Sequence, residues 1–466
     1  MQKSKVVERE SGLHQALSQK QLTMIALGSA IGTGLFFGSG FAVSLAGPGV
    51  ILSYVIAATC ALIMMGCLSE MAVAHPAAGS FGAYAEMYLG PFAGWSVRYT
   101  YWACQVIAVG GEVVAAAIYM QYWFPGIPSW VWMLSFAGAM VYINARSVAN
   151  FGAFEYWFAL IKVTAIVFFI ITGTAVLFGI GTEGLGFSNL TSPDGFLPLG
   201  IKGVWMGVMM AIFSFIGVEV VAVTSGEAKH PERAVPKAMR TMVLRLILFY
   251  LCSLTIMLCV VPWVDAADGK ISPFVKVFST IGVPYAAGIM NFVVLTAALS
   301  SMNANLYLTS RMMFSLARGQ YAPSALGKLS KAGTPVNALL ASTGGIALAV
   351  ILQTFGDESA YLYTFGIALF GALFVWTMIL ITFFAFRAAR EREGGEPLPT
   401  RMPFHPFLPG LGIVLIVSIM ATFYFHDFFR VGLYSGAAWL VLMFITYCMF
   451  GRSQATAQEE KVIHTN

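Results

Sequence analysis

Charge is scarce in this chain: Asp, Glu, Lys and Arg make up 10% of its 466 residues. Soluble globular proteins carry roughly 25%, so a surface turned mainly to water is excluded. Cysteine and histidine are scarce too, at six each. Cys60, Cys67, Cys104, Cys252, Cys259 and Cys448 lie inside apolar runs, and none pair at metal-ligand spacing. All but Cys104 read simply as small apolar side chains. His14, His75, His230, His405, His426 and His464 fall in tails, loops or near the ends of runs. With no metal-binding pair and no acid/base dyad outside the residues discussed below, neither an enzyme nor a metal or cofactor is expected. No polar block separates the apolar runs, and the ends read as short polar tails, so a separate enzymatic or regulatory domain is not expected. A cleavable signal peptide is not expected either, because the first run, Leu22 to Ala46, is too long and lacks a clean small-residue cleavage site.

What the chain has in abundance is apolar sequence, 58% of its residues. A spanning helix needs about 20 mainly apolar residues. Twelve runs fit, at 21–46, 49–73, 92–123, 129–146, 154–180, 202–226, 240–264, 283–311, 335–355, 359–386, 409–426 and 430–451. Turn or stop chemistry marks most breaks: Gly47-Pro48, His75-Pro76, Pro125-Gly126, Gly181, Gly269, Pro335, Gly356 and Pro409. Basic residues test the count. Of 26 Lys and Arg, 21 fall at the tails and alternate loops that become cytoplasmic when both termini are inside. Four, Lys202, Lys270, Lys276 and Arg430, fall outside, and Lys162 lies within a run. That excess is the positive-inside pattern for an even number of spans. The basic residues therefore mark a cytoplasmic face, and no nucleic-acid partner is expected.

The first run is rich in glycine: Gly28, Gly32, Gly34, Gly38 and Gly40. Gly28/Gly32 and Gly34/Gly38 are GxxxG pairs that suit close helix packing. Ser29, Gly32, Thr33 and Gly34 together also suit an unwound stretch, tolerated in a membrane where hydroxyls satisfy the freed backbone. Backbone N–H groups at the start of a half-helix suit a carboxylate. The sixth run, five later, mixes Gly, Ser and an acid in Phe213-Ser-Phe-Ile-Gly-Val-Glu219. Two interrupted segments at matching places in two halves point to an inverted-repeat transporter.

Ionisable side chains inside the bilayer cost roughly 2.5–3.5 kcal/mol each on insertion scales. Glu112 in the third run, Lys162 in the fifth and Glu219 in the sixth stand out. Lys162 either snorkels to the interface or serves coupling, as a proton carrier or as a fixed charge in place of sodium. Glu112 and Glu219 are either packing partners or functional groups. In the eighth run, Ser301 and Asn305 lie one turn apart, as interhelical hydrogen-bonders or as a cavity wall. Tyr101, Cys104, Gln105 and Glu112 fall near one face of the third.

At this point the chain resembles the bacterial amino acid transporter branch of the amino acid–polyamine–organocation superfamily. The resemblance rests on Ile25-Ala-Leu-Gly-Ser-Ala-Ile-Gly-Thr-Gly-Leu-Phe, Ala46-Gly-Pro-Gly, His75-Pro-Ala-Ala-Gly-Ser-Phe, Phe213-Ser-Phe-Ile-Gly-Val-Glu, Gly226-Glu-Ala-Lys-His-Pro-Glu-Arg-Ala-Val-Pro-Lys and Ser310-Arg-Met-Met-Phe-Ser-Leu-Ala-Arg. It implies an all-α membrane protein with the leucine-transporter fold: twelve helices, a five-plus-five inverted repeat and two more, with the first and sixth broken at mid-membrane. The corresponding divisions are a tail at 1–20, repeats at 21–180 and 202–388, helices eleven and twelve at 409–451, and a tail at 452–466. The resemblance implies a substrate carboxylate held at Ala30, Ile31, Gly32, Thr33 and Gly34, and an α-amino group held near Phe213, Ser214 and Ile216. Gln105, Val109 and Glu112 would line the side-chain part. Phe213 would act as an aromatic gate, Glu219 would link helices or gate, and Lys162 would fill a sodium site.

The expected function is amino acid import across a bacterial inner (plasma) membrane by alternating access. Proton symport and a neutral substrate are the favoured reading. An exchanger or a cationic amino acid permease on the same fold are the alternatives. The sequence is silent on oligomeric state.

Overall fold

The computed structural model describes residues 17–36, 38–77, 79–180, 186–191, 194–228, 231–267, 272–281, 285–355, 358–394 and 398–451, with Val6, Glu8, Arg9 and Leu13. Lys3, Lys5, Lys229, Lys270, Arg452, Lys461, His14, His230, His464, the break residues Gly181, Gly269 and Gly356, and the 452–466 tail lie outside the described residues.

Among the described residues the chain is helical, with one isolated β-bridge between Leu17 and Ala228. In chain order the helices are α1 (Gln19–Ala30), α2 (Thr33–Phe36), α3 (Gly38–Ala46), α4 (Val50–Ala74), α5 (Ser80–Leu89), α6 (Pro91–Gln121), α7 (Ser129–Arg146), α8 (Val148–Leu177), α9 (Gly200–Phe213), α10 (Val220–Val223), α11 (Pro231–Val260), α12 (Trp263–Ala266), α13 (Pro273–Ile281), α14 (Ala286–Arg318), α15 (Val336–Ser342), α16 (Gly344–Phe355), α17 (Glu358–Glu393), α18 (Phe407–Thr422) and α19 (Asp427–Thr446). Local chemistry sets several starts. Ser18 and Gln21 form a reciprocal capping box on α1. Ser147 caps α8 by accepting from Asn150 N at 3.1 Å, so α8 begins six residues before its apolar run. Pro91 opens α6 just after Gly90, whose φ of 105° only glycine adopts readily.

Eight helices among the described residues are long and apolar enough to cross a membrane. That count takes 38–74 as one span although Gly47-Pro48-Gly49 interrupts it. Gly200–Phe213 and Val336–Leu352 are apolar but shorter. The difference from twelve apolar runs arises largely where runs are interrupted: at α1–α3, at α9–α10 and at α15–α16. The ten-residue α5 was too short for the hydropathy pattern to reveal.

The packing is inverted relative to a water-soluble protein. Phe168, Ile171, Val414 and Val441 point outward, while Glu112, Glu155, Lys162, Glu219 and Asn303 are buried. Outward apolar side chains have no water to avoid in lipid, whereas charges must be paired inside. α6 and α14 form the centre, packed along each other; α17 lies on α6, α1 on α8, and α9 on α3 and α4.

Buried ion pairs bind one end of the bundle. Glu227 accepts from Arg311 Nε at 3.1 Å and from Tyr307 Oη at 2.6 Å. Glu86 pairs with Arg98 at 2.7 Å and with Arg9. Burial pushes the Glu86 carboxyl up, but Arg98 and Arg9 outweigh it and hold it below the ordinary carboxylate range. This pairing therefore stabilises the fold above the unfolded carboxyl's pKa and is lost as pH falls through the folded value. Glu70 Oε2 accepts from Arg387 Nη2 at 2.8 Å and from Met402 N at 2.9 Å. Removing one partner of a buried pair typically costs about 3–5 kcal/mol. Glu70→Ala is therefore expected to lower the melting temperature of the detergent-solubilised protein sharply. Joint replacement by Glu70→Leu and Arg387→Met is expected to recover most of the loss; equal melting for wild type and Glu70→Ala would show that the pair contributes nothing.

Candidate functional site

Two helical segments stop inside the bundle. α1 ends at Ala30, Ile31 and Gly32 are non-helical, and helix resumes at Thr33. α9 ends at Phe213, and residues 214–219 form turns before α10. Gly217 takes φ 100°, and a Cβ there would meet Ser29 O at 2.9 Å. The second turn thus needs glycine both for its backbone and for its approach to the first break.

The two breaks are tied together. Ser29 Oγ donates to Gly217 O at 3.0 Å. Tyr250 Oη lies 2.8 Å from both Ala30 O and Ser214 O, so its single proton serves either break. Tyr54 Oη and Ser214 Oγ are 2.9 Å apart. Glu219 folds back to accept from Gly217 N at 3.2 and 3.1 Å, and Tyr101 Oη of α6 donates to it at 2.8 Å. Glu219 therefore satisfies a freed N–H of its own turn and braces that turn against α6.

A cavity with about 30 Å³ of free volume lies between the breaks. Its walls are Ser29, Ala30, Gly32 and Gly34 from the first break, Gln105, Ala108 and Glu112 from α6, Phe213, Ser214 and Ile216 from the second break, and Ser301 and Asn305 from α14. Ala108, Glu112 and Phe213 also border a smaller cavity of about 10 Å³ with Ile107, Gly111, Phe365 and Ala368. The Phe213 and Phe365 rings meet edge to face, 5.0 Å between centroids. Glu112 is 7% exposed. Its Oε1 accepts from Thr33 Oγ1 at 3.0 Å and Ser301 Oγ at 2.8 Å, while Oε2 has no partner. A buried carboxylate oxygen without a donor is costly, which marks it as a ready acceptor.

Lys162, 0% exposed, sits behind the first break. Its Nζ donates to Gly28 O, to Ile31 O at 2.8 Å and to Ser300 Oγ at 2.8 Å. In a continuous helix Gly28 O would accept from Gly32 N, but Gly32 N turns to Ala30 O at 3.1 Å instead. The ammonium takes the donor's place. Three acceptors match the three N–H bonds of a protonated lysine. Ser300 in turn donates to Oε1 of Glu155, whose Oε2 accepts from Asn303 Nδ2 at 3.1 Å.

Of the residues singled out in the sequence, Ala30, Gly32, Gly34, Gln105, Glu112, Phe213, Ser214 and Ile216 line the cavity. Ile31 and Thr33 lie beside it, joined to Lys162 and Glu112. Lys162 and Glu219 hold the two breaks and do not form the wall. Val109 is not part of the wall: it is fully buried in an apolar cluster with Val113, Met302 and Leu306. It sits one residue, about 100°, further round α6 than Ala108. Glu155, Tyr54 and Tyr250 were not foreseen. Glu155 carried a usable signal, since it precedes Lys162 by two helical turns on the same face.

A helical chain with apolar side chains outward, charges inside and a cavity between two interrupted helices is a multi-pass membrane protein of the transporter class. The model of the amino acid permease family matches residues 21–459, and the chain belongs to that family, within the amino acid–polyamine–organocation superfamily. It is 40% identical to the gamma-aminobutyric acid permease of Bacillus subtilis (strain 168) over 451 residues, 96% of each chain. It is 38% identical to the aromatic amino acid transport protein AroP of Escherichia coli O6:H1 over 438 residues, 93% of this chain and 95% of that one. It is 34% identical to the probable threonine/serine transporter YbxG of Bacillus subtilis (strain 168) over 447 residues, 95% and 96% of the two chains.

A side chain at Gly217 strains a positive-φ backbone, about 1–3 kcal/mol, and pushes the two breaks apart. Gly217→Ala is expected to abolish most amino acid uptake while the protein still inserts, measured as uptake per membrane-inserted copy. Gly126→Ala, where a Cβ meets nothing within 4 Å, is the control. Wild-type uptake by Gly217→Ala would show that the breaks need not touch.

Proposed function

We propose that this permease imports an amino acid across the plasma membrane by alternating access, in symport with protons. The observation that carries the reading is the seat of Lys162: an ammonium buried against the carbonyls of Gly28 and Ile31 and the hydroxyl of Ser300. Carbonyls at an interrupted helix are where transporters hold a coupling cation. A covalently attached ammonium supplies that charge without a metal ion. A neutral amine has two N–H bonds for three acceptors, so deprotonation frees one of them. Losing a proton therefore loosens the first break, and that is how a proton moves the site.

In this reading the chain has twelve spans in a five-plus-five inverted repeat, at 21–180 and 202–388, followed by two helices at 409–451. Both termini are cytoplasmic, as the basic residues favour. The backbone at Ala30, Ile31, Gly32, Thr33 and Gly34 holds the substrate carboxylate, and carbonyls near Phe213, Ser214 and Ile216 hold the α-amino group. Phe213 closes over the substrate and Glu219 links the second break to α6. A neutral side chain suits walls of Ala108, Phe213 and Ile216. A cationic substrate is the second reading, favoured by the unpartnered Oε2 of Glu112.

Two measurements test these readings. In proteoliposomes, uptake is expected to rise with an inward proton gradient; indifference to that gradient, with uptake requiring internal substrate, would instead identify an exchanger. In a thermal-shift screen of all amino acids, stabilisation is expected from neutral ones. Stabilisation by lysine or arginine alone would replace the neutral reading with the cationic one.

A further inference from the structure

We propose that Glu155 is the carboxyl that receives the coupling proton from Lys162, with the Ser300 hydroxyl as the bridge. The inference rests on the proton coupling proposed above and adds a residue and a route to it.

Glu155 and Lys162 are both 0% exposed and lie two turns apart on one face of α8. Ser300 of α14 stands between them. It accepts from Lys162 Nζ at 2.8 Å and gives its own proton to Glu155 Oε1. The chain N–H···O–H···O is complete, with no gap for a water to fill. Transfer along it balances. The Nζ–H bond breaks as an O–H forms on Ser300, and the old Ser300 O–H breaks as an O–H forms on Glu155. The products are a neutral amine, an unchanged serine and a neutral carboxylic acid.

Charge explains why the proton goes this way. If Lys162 gave its proton directly to bulk water, the Glu155 carboxylate would stay buried without its cation, a strongly unfavourable state. Transfer through Ser300 removes both charges together. The groups that face Glu155 support the assignment. α1 presents Gly28, where a Cβ would collide with Oε1, and α14 presents Ser300 and Asn303. The charge that acts on Glu155 is Lys162 of its own helix. The other carboxyl that acts on Lys162 is Glu112. It is held by Thr33 and Ser301 on the cavity side instead.

Position supplies the direction. α8 starts at Val148. At 1.5 Å per residue, Glu155 lies about 10 Å along it and Lys162 about 21 Å. Asn303, the second donor to Glu155, is itself bonded to Asn144 at 2.7 Å, near the end of α7. The junction of α7 and α8 holds Arg146, one of the residues whose charge marks the cytoplasmic side. A proton stepping from Lys162 to Glu155 moves toward the cytoplasm, the direction import requires.

The test uses full-length protein in proteoliposomes with pyranine inside, and compares wild type, Glu155→Gln, Ser300→Ala and Ser300→Thr. Two quantities are read: protons entering per substrate, and counterflow exchange of substrate, which needs no net proton movement. Wild type is expected to acidify the lumen as substrate enters. Glu155→Gln and Ser300→Ala are expected to lose that acidification while retaining counterflow at a reduced rate. Ser300→Thr, which keeps the hydroxyl, is expected to recover it. If Glu155→Gln does not fold, the contrast of Ser300→Ala with Ser300→Thr decides. Undiminished acidification in both Glu155→Gln and Ser300→Ala would overturn the relay while leaving proton symport standing. So would equal loss in Ser300→Ala and Ser300→Thr, or loss of counterflow together with acidification in Glu155→Gln. A wild type that moves no protons would overturn both proposals.

Discussion

When a helix stops inside a membrane, the carbonyls it releases must find donors, because lipid offers none. Here Lys162 meets most of that requirement, while Tyr250 Oη and Gly32 N serve Ala30 O. Lys162 reaches from α8 to the end of α1 and satisfies Gly28 and Ile31 with two of its three protons. Without it, the first break would leave carbonyls exposed to an apolar interior. With it, a buried ammonium and a loosened helix stabilise each other: the charge requires the carbonyls and the carbonyls require the charge. The cavity lies beside the interruption of α1 at Ile31 and Gly32.

The second break is built on the same logic with opposite charge. Glu219 satisfies the N–H of Gly217 and is steadied by Tyr101. The Tyr250 and Ser29 hydroxyls then join the two breaks, and the Tyr54 hydroxyl ties the second one to α4. The two interrupted segments thus share donors and acceptors. Both breaks contribute walls to the cavity between them, which has a free volume of about 30 Å³.

The family assigns amino acid transport and leaves the side chain open. Relatives of 34–40% identity bear names that span γ-aminobutyric acid, aromatic amino acids and threonine or serine. What such molecules share is an amino group and a carboxylate, the parts that interrupted backbone can recognise. In the proposed site, what they do not share faces Ala108, Phe213, Ile216 and Glu112 of the cavity wall.

Much of this was legible in the chain itself. Low charge and long apolar runs determine a membrane protein, because only such a chain can turn its outer surface to lipid. Clusters of glycine and hydroxyl residues in the first and sixth runs mark the breaks, since few other residues tolerate an interrupted helix. Glu112, Lys162 and Glu219 are conspicuous as charges in apolar surroundings. Which side chains meet was decided by tertiary structure alone. Glu155 is the second residue of its apolar run, and only the packing of α14 brings Ser300 and Asn303 to it. Tyr250 is one more aromatic residue in an apolar helix until its hydroxyl meets two carbonyls from segments far away in sequence. Val109 and Ala108 are neighbours of similar character, and only the rotation of α6 against α14 turns one to the cavity and the other to the core. Composition and pattern set what each helix must hide, and the packing of one helix on another chooses what it hides it against.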